Sequence, residues 1–172
     1  MLPGPAHGRL VEDIRIWSKT SASLPAVRSV EPVTRRENGP AGTVADMDWT
    51  SWSEDLRRAL GPNGEFASLF APGALFSDPV NPPTTDLAAI EEMTDASFPD
   101  WRQEIVAVHG DETTGAFEWI GSGTLGGTTP IVIHGCTVVD VDGAGLVTRW
   151  RDYFDLKEIE AQVERRGPVG GS

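Results

Sequence analysis

Residues 48–60 carry apolar side chains at helical spacing. Four apolar residues from Trp49 to Leu60 are separated by three, four and four positions, which aligns them along one side of a helix. Gly61 and Pro62 follow directly and would end that helix. The same reasoning predicts further helices over 64–70, 86–98 and 156–166, and a short strand over 74–79.

The chain after Trp101 changes to patterns typical of strands. Stretches rich in Val, Ile, Thr and aromatic residues are separated by Gly-Asp, Gly-Gly and Asp-Gly pairs, which favour tight turns. They predict four strands, over 103–109, 116–125, 130–141 and 146–154. Helices followed by a run of strands indicate an α+β fold, and we expect a curved antiparallel sheet wrapped around the helices as a cone. The interior of such a cone can hold a small apolar molecule.

Residues 1–46 differ from the rest of the chain in charge and composition. They hold six basic and five acidic residues, whereas residues 47–172 hold eight and 21. The segment is rich in Pro, Gly, Ser and Arg, and only residues 9–17 could form a short helix. We therefore predict a partly disordered N-terminal extension over 1–46 and one folded domain over 47–172. A partner-binding arm, or a true start at Met47, are the alternatives.

The charge balance excludes several classes of function. The 172 residues carry a net charge of −12, with a pI near 4.5, so the chain lacks the basic surface that nucleic acids and anionic membranes attract. One cysteine excludes an internal disulfide framework. No apolar run is long enough to span a membrane, and the N-terminus lacks the pattern of a signal peptide. We expect a cytoplasmic protein.

The predicted last strand places a carboxylate on an apolar face. Side chains alternate between the faces of a strand, so Asp152 shares one face with Thr148, Trp150 and Phe154. The other face carries Val147, Arg149, Arg151 and Tyr153. Burial raises the pKa of a carboxyl towards the range useful in acid–base catalysis, which makes Asp152 the first catalytic candidate. The alternative is a structural Asp that accepts hydrogen bonds from the backbone or from an arginine.

Asp78 is the second catalytic candidate. It follows Phe76 at the end of the predicted short strand and precedes a proline-rich loop around Asn81. Chemistry is often located where strands end in loops. The alternative is a turn residue that accepts hydrogen bonds from the local backbone.

Aromatic residues on the predicted strands are candidates for a substrate-binding wall. Trp119 shares a strand face with Gly121 and Gly123, which leave space for a bound ring or for packing. The face of His134 is undecided because Gly135 permits a bulge, and a structural histidine is the alternative to a substrate contact. The full set of predicted substrate-binding residues is Trp119, Trp150, Phe76, His134, Phe154 and Trp101.

The histidines give no metal signature, because none of the three has Asp or Glu at the spacing of metal ligands. The glycine-rich stretch after Trp119 does not have the ending of a phosphate-binding loop. We therefore expect neither a metal nor a cofactor.

Four segments carry motifs that can be compared with known families: LFSDPVNPP at 75–83, SFPDW at 97–101, FEWIGSGTLGG at 117–127 and TRWRDYFDLKEIE at 148–160. Together they resemble the nuclear transport factor 2-like superfamily, and within it the SnoaL-like polyketide cyclases and the limonene-1,2-epoxide hydrolases. The resemblance covers residues 48–166. It implies a cone of curved sheet and helices around a deep apolar pocket, commonly dimeric through the sheet.

The resemblance also implies roles for single residues. In the epoxide hydrolases, the Asp that matches Asp152 works with a Tyr and an Asn that hold the attacking water, and the matching positions here are Phe76 and Asp78. The Arg and Asp that would protonate the epoxide oxygen fall at Trp119 and Gly121. The histidine that follows Gly-Thr in the cyclases is also replaced.

These observations favour a cofactor-independent acid–base enzyme that acts on a small apolar substrate by cyclisation, isomerisation or dehydration. Asp152 and Asp78 would supply one base and one acid, because two close carboxylates push their pKa values apart. The alternatives are epoxide hydrolysis with altered catalytic residues, a non-catalytic small-molecule binding domain, and a scaffold role of residues 1–46.

The outer face of the predicted sheet needs a cover. Arg149, Arg151 and Tyr153 lie on that face, and a second copy of the chain would shield them. We expect a homodimer through the sheet; a solvated face is the alternative.

Overall fold

The computed structural model describes residues 47–61 and 64–165. The chain divides into two units, Met1–Ala45 and Asp46–Ser172, and the described residues belong to the second. The predicted extension over 1–46, with its short helix, lies outside the described residues. The described elements are α1 (Trp49–Ala59), a 3-10 helix (Phe66–Leu69), β1 (Phe70–Ser77), α2 (Leu87–Ser97), β2 (Arg102–Gly110), β3 (Thr114–Leu125), β4 (Thr129–Val141), β5 (Val147–Phe154) and α3 (Leu156–Arg165).

The five strands form one sheet in the order β1-β5-β4-β3-β2. Strands β2 to β5 are antiparallel neighbours, as the sequence predicts, and the α+β class is confirmed. The sheet is mixed, however, because β1 lies parallel to β5. No short turn joins β1 to β5, so nothing local in the sequence indicates this pair.

Strand β1 begins earlier than the sequence predicts. The predicted helix over 64–70 is a single 3-10 turn, and the strand starts at Phe70 instead of residue 74. The register with β5 shifts between Phe70 and Leu75, and Gly73 has a φ of 77°. Pro72 and Gly73 resemble the end of a helix in the sequence. In the structure they lie at an irregularity within a strand, of the kind that glycine permits.

One face of the sheet, called the inner face below, carries the core. Phe117, Val139 and Trp150 are almost completely buried there, on three neighbouring strands. Helix α1 packs on this face through Trp52, whose ring centroid lies 6.1 Å from that of Phe117. Burying a side chain of this size contributes about 2–3 kcal/mol. The opposite, outer face carries exposed side chains that include Glu118, His134 and Tyr153.

A bulge in β5 changes which residues face inward. The register with β4 shifts by one residue at Thr148, which makes Thr148 the extra residue. Val147 is therefore completely buried and Thr148 exposed, the reverse of the predicted alternation. From Trp150 onward the alternation holds, and Asp152 lies on the inner face.

Helix α3 completes the edge of β4 where β5 does not pair with it. The β4–β5 pairs run from Gly135 to Val141. Before Gly135, the amide of Gln162 accepts from Val132 N at 2.9 Å and donates to Val132 O at 2.6 Å. Glu158 accepts from the backbone N–H of His134 at 3.2 Å. Side chains of α3 thus take the place of a neighbouring strand.

Within the described ranges, none of the helices has the length and apolar character needed to cross a membrane.

Candidate active site

Asp152 lies on the inner face of β5 between Trp150 and Phe154. Its Oδ1 accepts a hydrogen bond from the hydroxyl of Thr137 and another from Trp150 Nε1 at 2.8 Å. Thr137 lies directly opposite Asp152 in the β4–β5 register. No described residue donates to Oδ2. Asp152 is half-buried, and because every fully buried side-chain oxygen of the described residues has a partner, Oδ2 is not fully enclosed.

The surroundings of Asp152 make it a weak acid near neutral pH. Burial raises the pKa of its carboxyl from 3.8 to about 7, against the hydrogen bonds from Thr137 and Trp150, which lower the pKa. The negative charge of Asp78 raises it further. A carboxyl with this pKa is present in both protonation states at neutral pH, so it can take up or release a proton at little free-energy cost.

Asp78 lies just beyond the end of β1, next to Asp152. In the parallel β1–β5 register, Ser77 pairs with the residue before Asp152, so Asp78, one residue past the strand, lies close enough for its charge to raise the pKa of Asp152. Oδ1 of Asp78 accepts from the backbone N–H groups of Val80 and Asn81, and Oδ2 accepts from Asn81 Nδ2 at 2.8 Å. These hydrogen bonds are local to the loop. Asp78 therefore acts on Asp152 through its charge.

Four of the predicted wall residues lie on the inner face near this carboxyl. Phe76 stacks on Trp150, with ring centroids 6.5 Å apart. Trp119 meets Phe154 edge to face at 6.1 Å. Phe76, Trp119 and Trp150 are buried, and Phe154 is half-buried. The structure thus brings four of the six predicted wall residues together around Asp152.

The position of Trp119 depends on a glycine in the next strand. Gly135 pairs with Trp119, and a Cβ at Gly135 would lie 2.2 Å from the indole ring. The missing side chain lets the indole cross β4, where its Nε1 donates to Thr137 Oγ1 at 2.8 Å. Trp119 is therefore linked to Asp152 through Thr137.

Trp101 covers the glycine face of β3. A Cβ at Gly121 would lie 2.1 Å from its indole, and one at Gly123 would lie 3.3 Å from it. The space that these glycines leave beside Trp119 is therefore filled by a ring of the protein itself, which is the packing alternative of the sequence analysis.

The SFPDW segment is tied to the end of β3 by a carboxylate. Asp100 accepts from the backbone N–H and from the hydroxyl of Thr124, each at 2.6 Å. These hydrogen bonds hold the pKa of Asp100 below its usual value. Two of the segments that carry the family resemblance thus contact each other, and the contact holds Trp101 over the sheet.

His134 lies on the outer face, away from Asp152. The β3–β4 register runs through Gly135 without a shift, so the bulge that would have turned His134 inward is absent from this strand pair. Its exposed ring places Nδ1 2.8 Å from the carboxylate of Glu158 on α3. His134 therefore lies outside the candidate site, in the position of a structural histidine.

Thr137 belongs to the site, although it is not among the residues predicted from the sequence. It is completely buried and bonds both Trp119 and Asp152. A sequence signal exists: in β4, Thr137 alternates in step with Ile133 and Val139, so its hydroxyl lies between apolar residues on one face of the strand. The uncertainty about a bulge at Gly135 hid this signal.

A groove of about 560 Å³ lies elsewhere, beside the start of α1. Its lining includes Trp52, Asp55, Leu69 and Leu146, and none of the predicted site residues. This groove is therefore not the deep apolar pocket that the resemblance implies. Among the described residues, no three His, Cys, Asp or Glu side chains are grouped as metal ligands.

Solved structures with a similar fold come from several bacteria. A hypothetical protein with a ketosteroid isomerase-like fold from Catenulispora acidiphila, in complex with trimethylamine, is 20% identical, with a TM-score of 0.58 over 64% of this chain and 90% of that one. An LEH-like epoxide hydrolase from M. tuberculosis is 19% identical, with a TM-score of 0.54 over 67% and 88%. A protein described as a SnoaL-like polyketide cyclase from Jannaschia sp. is 14% identical, with a TM-score of 0.57 over 69% and 94%. At these identities the likeness is one of fold.

The sequence itself matches one family profile. No curated protein matches the chain, but the profile of the SnoaL-like domain matches residues 61–150. The matched range runs from the end of α1 to Trp150, two residues before Asp152. It covers more than half of the chain and agrees with the fold of the solved structures. The chain therefore belongs to the SnoaL-like domain family.

Proposed function

We propose that this domain is a cofactor-independent acid–base catalyst in which Asp152 moves a proton on a small, uncharged, apolar substrate. One observation carries the proposal. Asp152 lies half-buried on an aromatic face with the pKa of its carboxyl raised to about 7, and its Oδ2, to which no described residue donates, is not fully enclosed. Carboxyls tuned in this way serve as general acids and bases.

Charge around the site favours an uncharged substrate. Asp78 adds a second negative charge beside Asp152. The two arginines of β5 lie on the outer face, where Arg151 bonds Asp140 at 2.7 Å. An anionic substrate would thus be buried beside two carboxylates without a cation to offset its charge. Phe154 and its aromatic neighbours suit an apolar ring instead.

Proton transfer at carbon is the chemistry that this site supports best. The carboxylate of Asp152 removes a proton from a carbon next to a carbonyl group, and the electron pair moves towards the carbonyl oxygen. Returning the proton to another carbon gives isomerisation. Attack of the same carbon on a second carbonyl carbon, with the proton ending on the new hydroxyl, gives cyclisation. Asp78 supports the base by raising the pKa of Asp152.

Epoxide hydrolysis has less support from the geometry. Phe76, which stands where the hydrolases carry a Tyr, is buried against Trp150 and offers no hydrogen bond to a water. Asp78 directs its oxygens to its own loop. Gly121 is covered by Trp101 and supplies no acid for the epoxide oxygen.

Hydrogen exchange tests the proposal without knowledge of the natural substrate. We would incubate the protein in D₂O with a panel of small apolar ketones and enones, and follow the loss of protons next to the carbonyl group by NMR. We expect exchange of at least one compound, with a rate that falls below about pH 7 as Asp152 becomes protonated. Asp152→Asn should lower this rate by about 100-fold or more, because an amide cannot accept the proton.

A carboxylate on the outer face provides the matched control. Asp140→Asn removes a charge from β4 but leaves the inner face unchanged, so exchange should continue at the wild-type rate. Full exchange by Asp152→Asn would contradict the proposal. Compounds that bind the wild-type protein but never exchange would instead favour the non-catalytic binding domain.

A further inference from the structure

We propose that Thr137 and Trp119 are positioning residues that fix Oδ1 of Asp152 as a permanent hydrogen-bond acceptor, so that Oδ2 is the oxygen that takes up and releases the proton. The inference rests on the proposed function and deepens it by assigning different roles to the two oxygens of one carboxyl.

The direction of the hydrogen bonds follows from the chemistry of indole. An indole N–H can donate and cannot accept, so Thr137 Oγ1 must be the acceptor for Trp119 Nε1. The hydroxyl hydrogen of Thr137 is then directed to Asp152 Oδ1. Trp150, a second indole, donates to the same oxygen. A proton on Oδ1 would meet two hydrogens that already point at it, whereas a proton on Oδ2 meets none from the described residues.

Among the described residues, the hydroxyl of Thr137 forms hydrogen bonds with Trp119 and Asp152 alone. The residue is completely buried, and the neighbouring inner-face positions of β4 are Ile133, Gly135 and Val139. Valine has nearly the same shape and would fill the position without burying a polar group, which is costly unless the group is hydrogen-bonded. The two hydrogen bonds to Trp119 and Asp152 are what offset that cost.

The hydrogen bond between Trp119 and Thr137 is buried, and the two hydrogen bonds to Oδ1 of Asp152 are partly buried. Trp119 and Trp150 are 4% and 2% exposed. In such surroundings hydrogen bonds are electrostatically stronger and polarise one another. A change of charge on Asp152 should therefore be felt at the indole N–H of Trp119.

NMR titration of two variants tests this assignment. The aspartate carboxyl carbons are labelled with ¹³C, the indole nitrogens with ¹⁵N, and both are followed between pH 4 and pH 9. In the wild type, Asp152 should titrate near pH 7, and the Trp119 indole signal should move with the same midpoint. Thr137→Val should raise the midpoint of Asp152 by about one pH unit, since a hydrogen bond that favours the charged form is lost. Thr137→Ser should restore both the midpoint and the linked indole signal.

A second variant keeps the test decisive if Thr137→Val does not fold. Trp119→Phe retains a ring but removes the N–H group, and it should also raise the midpoint of Asp152, by less than Thr137→Val. An unchanged midpoint in a folded Thr137→Val or Trp119→Phe protein would overturn the proposal. So would a Thr137→Ser variant that behaves like Thr137→Val.

The readout separates this proposal from the proposed function, because it needs no substrate. A protein that exchanges no ketone proton, but whose Asp152 midpoint rises in Thr137→Val, retains the hydrogen-bond assignment and loses the catalytic role. A protein that exchanges protons normally, with a midpoint unaffected by Thr137→Val, retains the catalytic role and loses the assignment.

Discussion

Asp152 makes the stability of the fold depend on pH. In the unfolded chain its carboxyl ionises near pH 3.8, whereas in the folded protein it does so near pH 7. Between these values the folded state holds a proton that the unfolded state has lost, so the free energy of unfolding falls as the pH rises. Above about pH 7 the penalty levels off at roughly 4 kcal/mol, from about 1.4 kcal/mol per pH unit.

Asp152→Asn should therefore stabilise the protein at alkaline pH while it lowers the proposed proton exchange. The amide oxygen can still accept from Thr137 and Trp150, but the group never becomes charged. We expect the free energy of unfolding to rise by about 2–4 kcal/mol at pH 8 and to change little at pH 4. Urea denaturation at the two pH values measures this difference.

Asp140 provides a contrast of opposite sign. Its hydrogen bond with the Arg151 guanidinium lowers the pKa of Asp140, so the stabilisation is present above the unfolded pKa and is lost as the pH falls. Asp140→Asn should thus be less stable than the wild type at pH 8.

The prediction for Asp152 would be contradicted by an Asp152→Asn protein whose free energy of unfolding does not rise at pH 8, or rises as much at pH 4. Either result would contradict the burial of the Asp152 carboxyl.

At the level of elements, the bounds of the regular helices and strands could be predicted from the sequence, whereas the pairing of β1 and the positions of irregularities could not. The bounds of α1 and of β2 to β5 follow from apolar spacing and turn residues, because those signals are local. The pairing of β1 with β5, the bulge at Thr148 and the irregularity of β1 around Gly73 depend on contacts distant in sequence. The inward position of Asp152 was predictable because regular alternation resumes after Thr148.

Glycines explain why part of the site was hidden. A ring lies over Gly121 and another over Gly135, contributed by Trp101 and Trp119. The sequence shows a glycine in a strand but does not show which ring will cover it. Space for a ligand and space for a tryptophan ring therefore cannot be distinguished from the sequence. The same ambiguity at Gly135 left the face of β4 undecided and kept Thr137 out of the predicted site.

Gly135→Ala should disturb the site more than its small size suggests. Its Cβ would lie 2.2 Å from the buried indole of Trp119, which must move away from Thr137. We expect a loss of about 1–3 kcal/mol in the free energy of unfolding and a displaced Trp119 indole signal. Gly143→Ala is the control, because a Cβ there meets nothing within 4 Å. Equal stability of the two variants would show that the indole has room that the structure does not indicate.

At the scale of the whole molecule, the outer face of the sheet bears on assembly. Tyr153 of β5 and Val132 of the neighbouring β4 are 54% and 42% exposed, and Val106 of the edge strand β2 is 53% exposed, which is a large apolar exposure for one sheet. The homodimer through the sheet stays a prediction, as does the scaffold role of residues 1–46, which lie outside the described residues.

Size-exclusion chromatography with light scattering tests the dimer. We expect the mass of two chains of 18.5 kDa each, and a shift to one chain in Tyr153→Glu, because a buried unpaired carboxylate opposes association. Met93→Glu changes an exposed apolar residue of α2 in the same way and should leave the mass unchanged. A wild-type protein with the mass of one chain would end the prediction.

Helix α3 affects the tendency of the chain to aggregate with other copies of itself. A strand edge with free N–H and C=O groups recruits further strands, and this is how many β proteins begin to aggregate. At Val132 both groups are occupied by the single amide of Gln162, and the neighbouring N–H of His134 is occupied by Glu158. The helix therefore blocks the apolar end of β4 from pairing with a strand of another chain. Detachment of the helix would favour fibril-like self-association over local fraying.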